Sequence, residues 1–379
     1  MKIAILTQPL RFNFGGILQN YALQTILRRM GHEVVTLDPR RYQYSWWEYP
    51  MLTLRHLAAR YLKGYKEANL FAEYNRDKET RKIGVNTFRF IDKYICRKDF
   101  SSLSDKITPN DFDAIVVGSD QVWRPKYNRN LQNMFLDFTH GWNIKRIAYA
   151  ASFGTDEIEY SDEQIDECKK LLSVFDAVSV REKSGISLCK QMFDVDAIHV
   201  LDPTMLLDAA DYMRLVEAYP SSSASGNLYY YILDNTDENA KLIRDYAKKK
   251  GLLPFTFNSK AADYRNKHTI EEKIQMPVEH WLQGFNQAEF VITDSFHACV
   301  FSILFKKQFF VFGNEERGMT RYMSLFQMLG IKDRFIKNLN DIQHMSDIDY
   351  SQVEVCLNQL REHSVAFLMN VLNNRQPKS

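Results

Sequence analysis

Two apolar runs in the segment 290–312, FVITDSFHACVFSILFKKQFFVF, flank a polar group, Thr293-Asp294-Ser295-Phe296-His297. An imidazole set among hydroxyls and a carboxylate can carry a proton or hold an anion. Phe290-Val291-Ile292 has the β-branched and aromatic character of a buried strand, Ala298–Phe305 suits a buried helix, and Gln308–Phe312 suits a second strand. The polar group therefore falls on a βα turn. In an open parallel sheet such turns lie at the carboxyl ends of the strands, where ligands bind, and the following helix offers N–H groups and a positive dipole end. Helix capping is the plain alternative for Asp294 or Ser295, but it leaves His297 without a role.

Three further strand ends carry polar residues. The loop from Asn13 through Gly15, Gly16 and Gln19 follows a first short strand, and its glycines would let the backbone approach a ligand. Its spacing matches neither GxGxxG nor GxxxxGK[ST], and a turn needing positive φ is an equal reading. Val116-Val117 runs into Gly118-Ser119-Asp120-Gln121-Val122-Trp123, which puts a carboxylate and an amide at a sheet edge. Asp120 reads as a base or acceptor for a sugar hydroxyl, or with Ser119 as a helix cap. After Ser179-Val180, Arg181 offers a planar fork for a carboxylate or phosphate and Ser184 a hydroxyl, although Arg181 can equally pair with Asp202 or Glu182. Ser152 lies in the small-residue strand exit Ala150–Gly154. Arg317 and Arg321, beyond the last strand of the opening segment, can reach the same anion as His297 or pair with Glu315 or Glu316 on the surface.

Positioning these residues requires two α/β units. Strand signals at Lys2–Thr7, Glu33–Leu37, Ala114–Gly118, Arg146–Ala150 and Ala177–Val180, with a helix predicted over Leu18–Met30, describe an open, mostly parallel sheet. Leu201-Asp202-Pro203 interrupts the pattern, and a second series begins at Asn227–Leu233, continuing through Leu252–Phe257 to the opening segment. The reading is an N-terminal Rossmann-like domain over 1–205, a C-terminal one over 206–345, and a helix within 346–379 that returns to brace the first domain. A basic, aromatic helical insertion at about 40–100 breaks the rhythm. Residues 40–99 hold 14 Lys/Arg, 7 Asp/Glu and 12 aromatics, which fits either helices packed on the first domain with snorkelling cations or contact with an anionic membrane face.

Composition narrows the function classes. A balance of 49 Lys+Arg against 47 Asp+Glu leaves +2, which argues against nucleic-acid binding through the general surface. No apolar run reaches membrane-span length, and the N-terminal run breaks too early for a signal peptide, so a cytoplasmic protein is expected, with peripheral contact at the membrane as the option left by the insertion. Cys96, Cys168, Cys189, Cys299 and Cys356 are scattered and never spaced as CxxC, so neither a disulfide framework nor a metal site is expected.

Read in order, NFGGILQNYALQ, VVGSDQVWRP, ASFG, SVREKSG, LDPTMLL and TDSFHACVFSILFKKQFFVF resemble the polysaccharide pyruvyl transferase family over about residues 1–335. GSDQVW and TDSFH are the most specific blocks. The resemblance implies two Rossmann-like domains facing a cleft (GT-B type), no cofactor, phosphoenolpyruvate as donor, and a sugar acceptor of a polysaccharide or its lipid-linked precursor that becomes a pyruvate ketal. It assigns His297 as acid/base or phosphate ligand, Asp120 as base, and Arg181, Ser184, Asp294, Ser295, Arg317 and Arg321 to the donor. Asn13, Gly15, Gly16, Gln19, Ser119, Gln121, Trp123 and Ser152 would form the cleft loops. Family members often have an arginine two residues before the histidine; here that residue is Ser295, which leaves Arg317 or Arg321 to supply the charge. The alternatives are a nucleotide-sugar glycosyltransferase of the same fold, which commonly holds the ribose with an acidic residue on the helix after this turn, or a non-catalytic anion binder. Ala298–Gln308 contains no Asp or Glu.

Overall fold

A computed structural model describes residues 1–39, 46–62, 71–100, 103, 107–128, 130–220, 225–234, 236–259, 269–313, 318–332, 334–338, 341–342 and 345–373. Its first sheet has seven strands: β1 (Lys2–Leu6), β2 (Glu33–Pro39), β3 (Arg97–Phe100), β4 (Ala114–Val117), β5 (Lys145–Ala151), β6 (Ala177–Val180) and β7 (Ile198–His199). They run parallel in the order β3-β2-β1-β4-β5-β6-β7. The second sheet has five: β8 (Leu228–Tyr231), β9 (Pro254–Phe255), β10 (Phe290–Thr293), β11 (Gln308–Phe312) and β12 (Phe335–Ile336), parallel in the order β12-β11-β10-β8-β9. The central strand β4, Ala114–Val117, is apolar along its whole length and buried at every residue, as a strand covered on both faces must be.

Strand order fixes where ligands can enter. The connections reverse direction between β1 and β4 in the first sheet and between β8 and β10 in the second, so each sheet has its topological switch point beside its central strands. The loops leaving β1, β4 and β8 at these points hold Asn13, Asp120 and Leu233, and the helix that follows β10 carries His297 in its first turn; all four line one cavity.

Three elements tie the units together. The helix Tyr350–Asn373 ends on the first sheet, where Lys145 Nζ donates to the Val371 carbonyl at 2.9 Å and Ser364 Oγ accepts from Leu201 N at 3.0 Å. Within the insertion, helices occupy Tyr49–Leu62, Ala72–Ile83 and Val85–Tyr94. The last buries Phe88, Phe90 and Ile91 and sends Arg89 to Glu279 at 2.5 Å, with its guanidinium 4.2 Å from the centre of the Tyr219 ring. A continuous apolar core then runs from Ile3, Ile5 and Val116 of the first sheet to Trp281 and Phe301 of the second unit.

Two local expectations need correction. Gly15 and Gly16 do not form a loop before the first helix: that helix runs Phe14–Arg29, so both glycines lie in its first turn and neither has positive φ. No helix opens at Ser119 or Asp120 to be capped; the chain turns instead, with Gly118 at φ 117° and Asp120 at φ 71°.

Candidate active site

The turn after β10 is built by its own side chains. Thr293 Oγ1 donates to the Tyr231 carbonyl at 2.6 Å and accepts from Ser295 N at 3.0 Å. The Asp294 carboxylate accepts from Leu233 N and Asp234 N at 2.7 and 2.8 Å, which fixes the loop leaving β8. Ser295 caps the helix Phe296–Leu304, so His297 enters at its first turn, where the N–H groups have no intrahelical acceptor.

His297 points across the domain boundary. A Cβ added at Gly15 would overlap Nδ1 and Cγ of its ring, which is why the first helix carries glycine there. On its other edge, Nε2 stands 3.7 Å from Asp202 Oδ2, beyond hydrogen-bond length. Asp202 is buried, and its Oδ1 accepts from Thr204 N at 3.0 Å and Thr204 Oγ1 at 2.6 Å. Burial alone would raise its pKa, but the facing His297, Arg181 and the Thr204 hydroxyl outweigh it and hold Asp202 well below the usual carboxylate range.

Arg181 does not reach the cavity wall, contrary to the sequence expectation that it grips the donor. Its side chain is fully buried behind the wall, with Nη1 on Asp202 at 2.7 Å and Nη2 on Asp120 at 3.2 Å. The Asp120 carboxylate also accepts from Gln121 N at 2.9 Å. Against burial, which raises it, Arg181 and His297 lower the Asp120 pKa, so this group is an anion and a weak base. Its left-handed backbone is strained for a residue with a Cβ, as side chains held at functional sites often are.

Among the described residues, Arg321, on the helix Thr320–Met328, is the arginine that lines the cavity. Burial first and the repulsion of Arg181 second lower its pKa, with Tyr322, Glu182 and Asp120 opposing. Both guanidiniums lie over the Phe296 ring, at 5.0 Å for Arg181 and 5.5 Å for Arg321. Together Asn13, Asp120, Gln121, Asp294, Ser295, His297 and Arg321 surround a cavity of about 90 Å³.

The remaining predicted residues stand behind this wall. Gln19 donates to Thr7 Oγ1 and the Gly16 carbonyl and accepts from Ser119 N. Ser119 Oγ reaches the Ala150 carbonyl at 3.0 Å, and Ser152 Oγ accepts from Gly154 N at 3.1 Å. Trp123 is core rather than cleft, stacked on Phe135 with its indole N–H on the Met134 carbonyl. Ser184 is also off the wall; its Oγ is buried and has no hydrogen-bond partner among the described residues. A Cβ added at Gly16 would come within 3.5 Å of Asp120 Oδ2. Arg317 lies outside the described residues.

Sequence reasoning missed Asp202 as the partner of His297, Glu182, and the cavity residues Tyr127, Leu233 and Tyr322. Glu182 Oε1 accepts from Phe153 N and Gly154 N at 2.7 and 3.2 Å, and burial raises its pKa against the opposing Arg181 and Arg321. The Asp-Pro that ends the first sheet was a signal for Asp202; nothing in the sequence pointed to Tyr127. Among the described residues no group of three His, Cys, Asp or Glu is arranged to hold a metal ion, and no helix is long and apolar enough to cross a membrane.

Comparison with known proteins adds a family and a fold. The family model described as Polysaccharide pyruvyl transferase matches residues 13–316. No curated protein matches the chain. Solved structures of similar fold include Arabidopsis thaliana UGT89C1 complexed with UDP-L-rhamnose, with 10% identity and a TM-score of 0.50 over 96% of this chain and 94% of that one. Methanocaldococcus jannaschii UDP-GlcNAc 2-epimerase, in complex with UDP-GlcNAc and UDP, shares 11% identity at TM-score 0.50 over 99% and 100%. The S. aureus MnaA-UDP structure shares 12% at 0.50 over 100% and 99%. At these identities the likeness is one of fold: two Rossmann-like domains in the GT-B arrangement.

Proposed function

We propose a donor, an acceptor class and residue roles on one premise: this chain belongs to the polysaccharide pyruvyl transferase family, whose model covers residues 13–316. The donor is phosphoenolpyruvate, and the acceptor is a pair of hydroxyls on one sugar of a cell-surface polysaccharide or its lipid-linked precursor. The observation that carries this reading is the cavity between the two switch points, with His297 and Arg321 on its wall. Sites for drug-sized ligands occupy roughly 300–1,000 Å³. At about 90 Å³ this one suits a small anion rather than a nucleotide sugar.

The chemistry distributes as follows. His297 delivers a proton to the methylene carbon of the donor as the C=C π pair takes it up, which leaves C2 electrophilic. One sugar hydroxyl attacks C2, the C2–O bond to phosphate breaks, and the second hydroxyl closes the ketal. Of the two hydroxyl protons released, one accounts for the new methyl hydrogen and the other leaves on phosphate. Arg321 and the opening turn of the Phe296–Leu304 helix offset the charge of the departing phosphate. Asp120, an anion, accepts a hydrogen bond from the attacking hydroxyl and orients it, while Asp202 and Gly15 hold the imidazole in place. Arg181 is a positioning residue for Asp120 and Asp202.

Incubation with phosphoenolpyruvate, and separately with UDP-sugars, in the presence of galactosides or N-acetylmannosaminides tests the donor. Acceptor-dependent phosphate release supports the reading; release of UDP, or anion binding without turnover, removes it.

A peripheral membrane contact is part of the same proposal. The insertion exposes Trp46, Trp47, Met51, Leu54 and Phe71, the first at 82% exposure, and Trp46, Leu54 and Phe71 line an apolar groove together with Lys78 and Arg81. Aromatic rings beside exposed cations match the headgroup level of an anionic bilayer. Sedimentation with anionic vesicles that is lost in a Trp46→Ser, Trp47→Ser variant supports this contact; unchanged sedimentation contradicts it.

A further inference from the structure

A second cavity, of about 570 Å³, opens at the carboxyl ends of the first-sheet strands β1 to β3. Its wall differs in kind from that of the anion cavity: Asn130 and Asn133 supply amides, Phe100 and Phe138 supply rings, and Asp137 supplies a carboxylate. Tyr127 lines both cavities, so they adjoin. The guanidinium of Arg124 sits 5.1 Å from the centre of the Tyr127 ring, and Arg124 is itself fixed by Glu159, with Nη2 on Oε1 at 2.8 Å. Tyr127 remains 47% exposed. Asn128 secures the turn from which the ring projects, its Nδ2 donating to the Val122 and Arg124 carbonyls at 2.9 and 3.0 Å.

We propose that this cleft is the saccharide site, in which the acceptor ring stacks on Tyr127 and is read by Asn133 and Asp137. The assignment of the bound sugar as acceptor rests on the reaction proposed above. Sugars present an apolar C–H face and a rim of hydroxyls, so a ring platform and planar side chains that accept and donate in pairs are the matching chemistry. Nucleotides would call for cations, whereas the described residues of this wall are uncharged apart from Asp137. One oxygen of that carboxylate, Oδ1, is buried without a hydrogen-bond partner among the described residues. A buried acceptor in that state is costly unless a donor arrives, and a sugar hydroxyl is such a donor. The volume also fits, since it lies within the roughly 300–1,000 Å³ of small-molecule sites. A sugar seated on Tyr127 would present its hydroxyls toward the cavity of His297 without leaving the cleft.

The test uses the full chain and three probes, the methyl glycosides of galactose, glucose and N-acetylmannosamine, detected by saturation-transfer NMR. The proposal expects at least one glycoside to bind, and Asn133→Ala and Asp137→Asn each to weaken it by about tenfold, the first by loss of a hydrogen bond and the second by loss of the charge that strengthens one. Phosphoenolpyruvate affinity, followed by calorimetry, is expected to stay within about twofold, because neither residue lines the anion cavity. Asn133 is only partly buried, so its variant keeps the test valid if Asp137→Asn does not fold. Absence of binding by all three glycosides, or equal binding by wild type and both variants, overturns the proposal. Glycoside binding that depends on these residues, without phosphate release from phosphoenolpyruvate, would uphold the saccharide site and sink the reaction instead.

Discussion

Gly15 and His297 belong to different domains, and the histidine ring occupies the space that a side chain at Gly15 would need. The first turn of the first helix therefore acts as the floor on which the imidazole rests. A Gly15→Ala substitution leaves the helix intact, since alanine is the better helix former by about 1 kcal/mol, but drives His297 off its position. Displacements of about 1 Å at a reacting group can cost roughly a hundredfold in rate. The expected result is a loss of that order in kcat, together with a lower melting temperature, because overpacking a buried contact costs about 1–3 kcal/mol and outweighs the gain in helix propensity. Unaltered kcat would mean that the contact has no bearing on turnover.

Arg181 should prove a structural cation whose loss is felt first in stability. It is fully buried between Asp120 and Asp202, and removing one partner of a buried ion pair costs about 3–5 kcal/mol. Arg181→Lys keeps the charge but cannot bridge two carboxylates with one planar fork. Urea denaturation of this variant is expected to show a lower midpoint at unchanged m, corresponding to a loss of about 3 kcal/mol in unfolding free energy. A midpoint equal to wild type would show that a point charge suffices.

Glu182 gives a dependence on pH with a definite sign. Burial raises its pKa in the folded protein above the unfolded value, so the folded state holds the proton more tightly. Its stabilising contribution is complete below about pH 4.3, the unfolded value, and is lost as pH rises through the raised folded pKa. Glu182→Gln keeps the Oε1 acceptor used by Phe153 N and Gly154 N. Its stability should therefore fall less steeply than that of wild type as the pH is raised from 4 toward neutrality. Parallel curves would show that Glu182 titrates alike in the folded and unfolded chains.

Much of this arrangement was legible in the sequence where chemistry and local pattern coincide. The segment 290–312 folds as its residues predict, with β10, a helix and β11 in order and His297 at the helix opening. Gly15 and Gly16 were misread because a glycine pair usually marks a turn, whereas here glycine answers to a ring 282 residues away. For Arg181 the pairing with Asp202 was one of the readings weighed, whereas Asp120, 61 positions away and brought to it only by the sheet, was not foreseen. The edge strand β3 escaped notice because Arg97-Lys98-Asp99 carries charge where strands usually carry apolar residues. Tyr127 gave no signal at all, since a short turn after a proline has no periodicity to read.

The central claim is that His297 donates the proton that opens phosphoenolpyruvate to attack. The most direct measurement is acceptor-dependent phosphate release by wild type and by His297→Ala, at matched folding and saturating donor. General acid catalysis is worth about 10²–10⁴-fold, so a fall of that size in kcat is predicted. Release at the wild-type rate from His297→Ala would contradict the account.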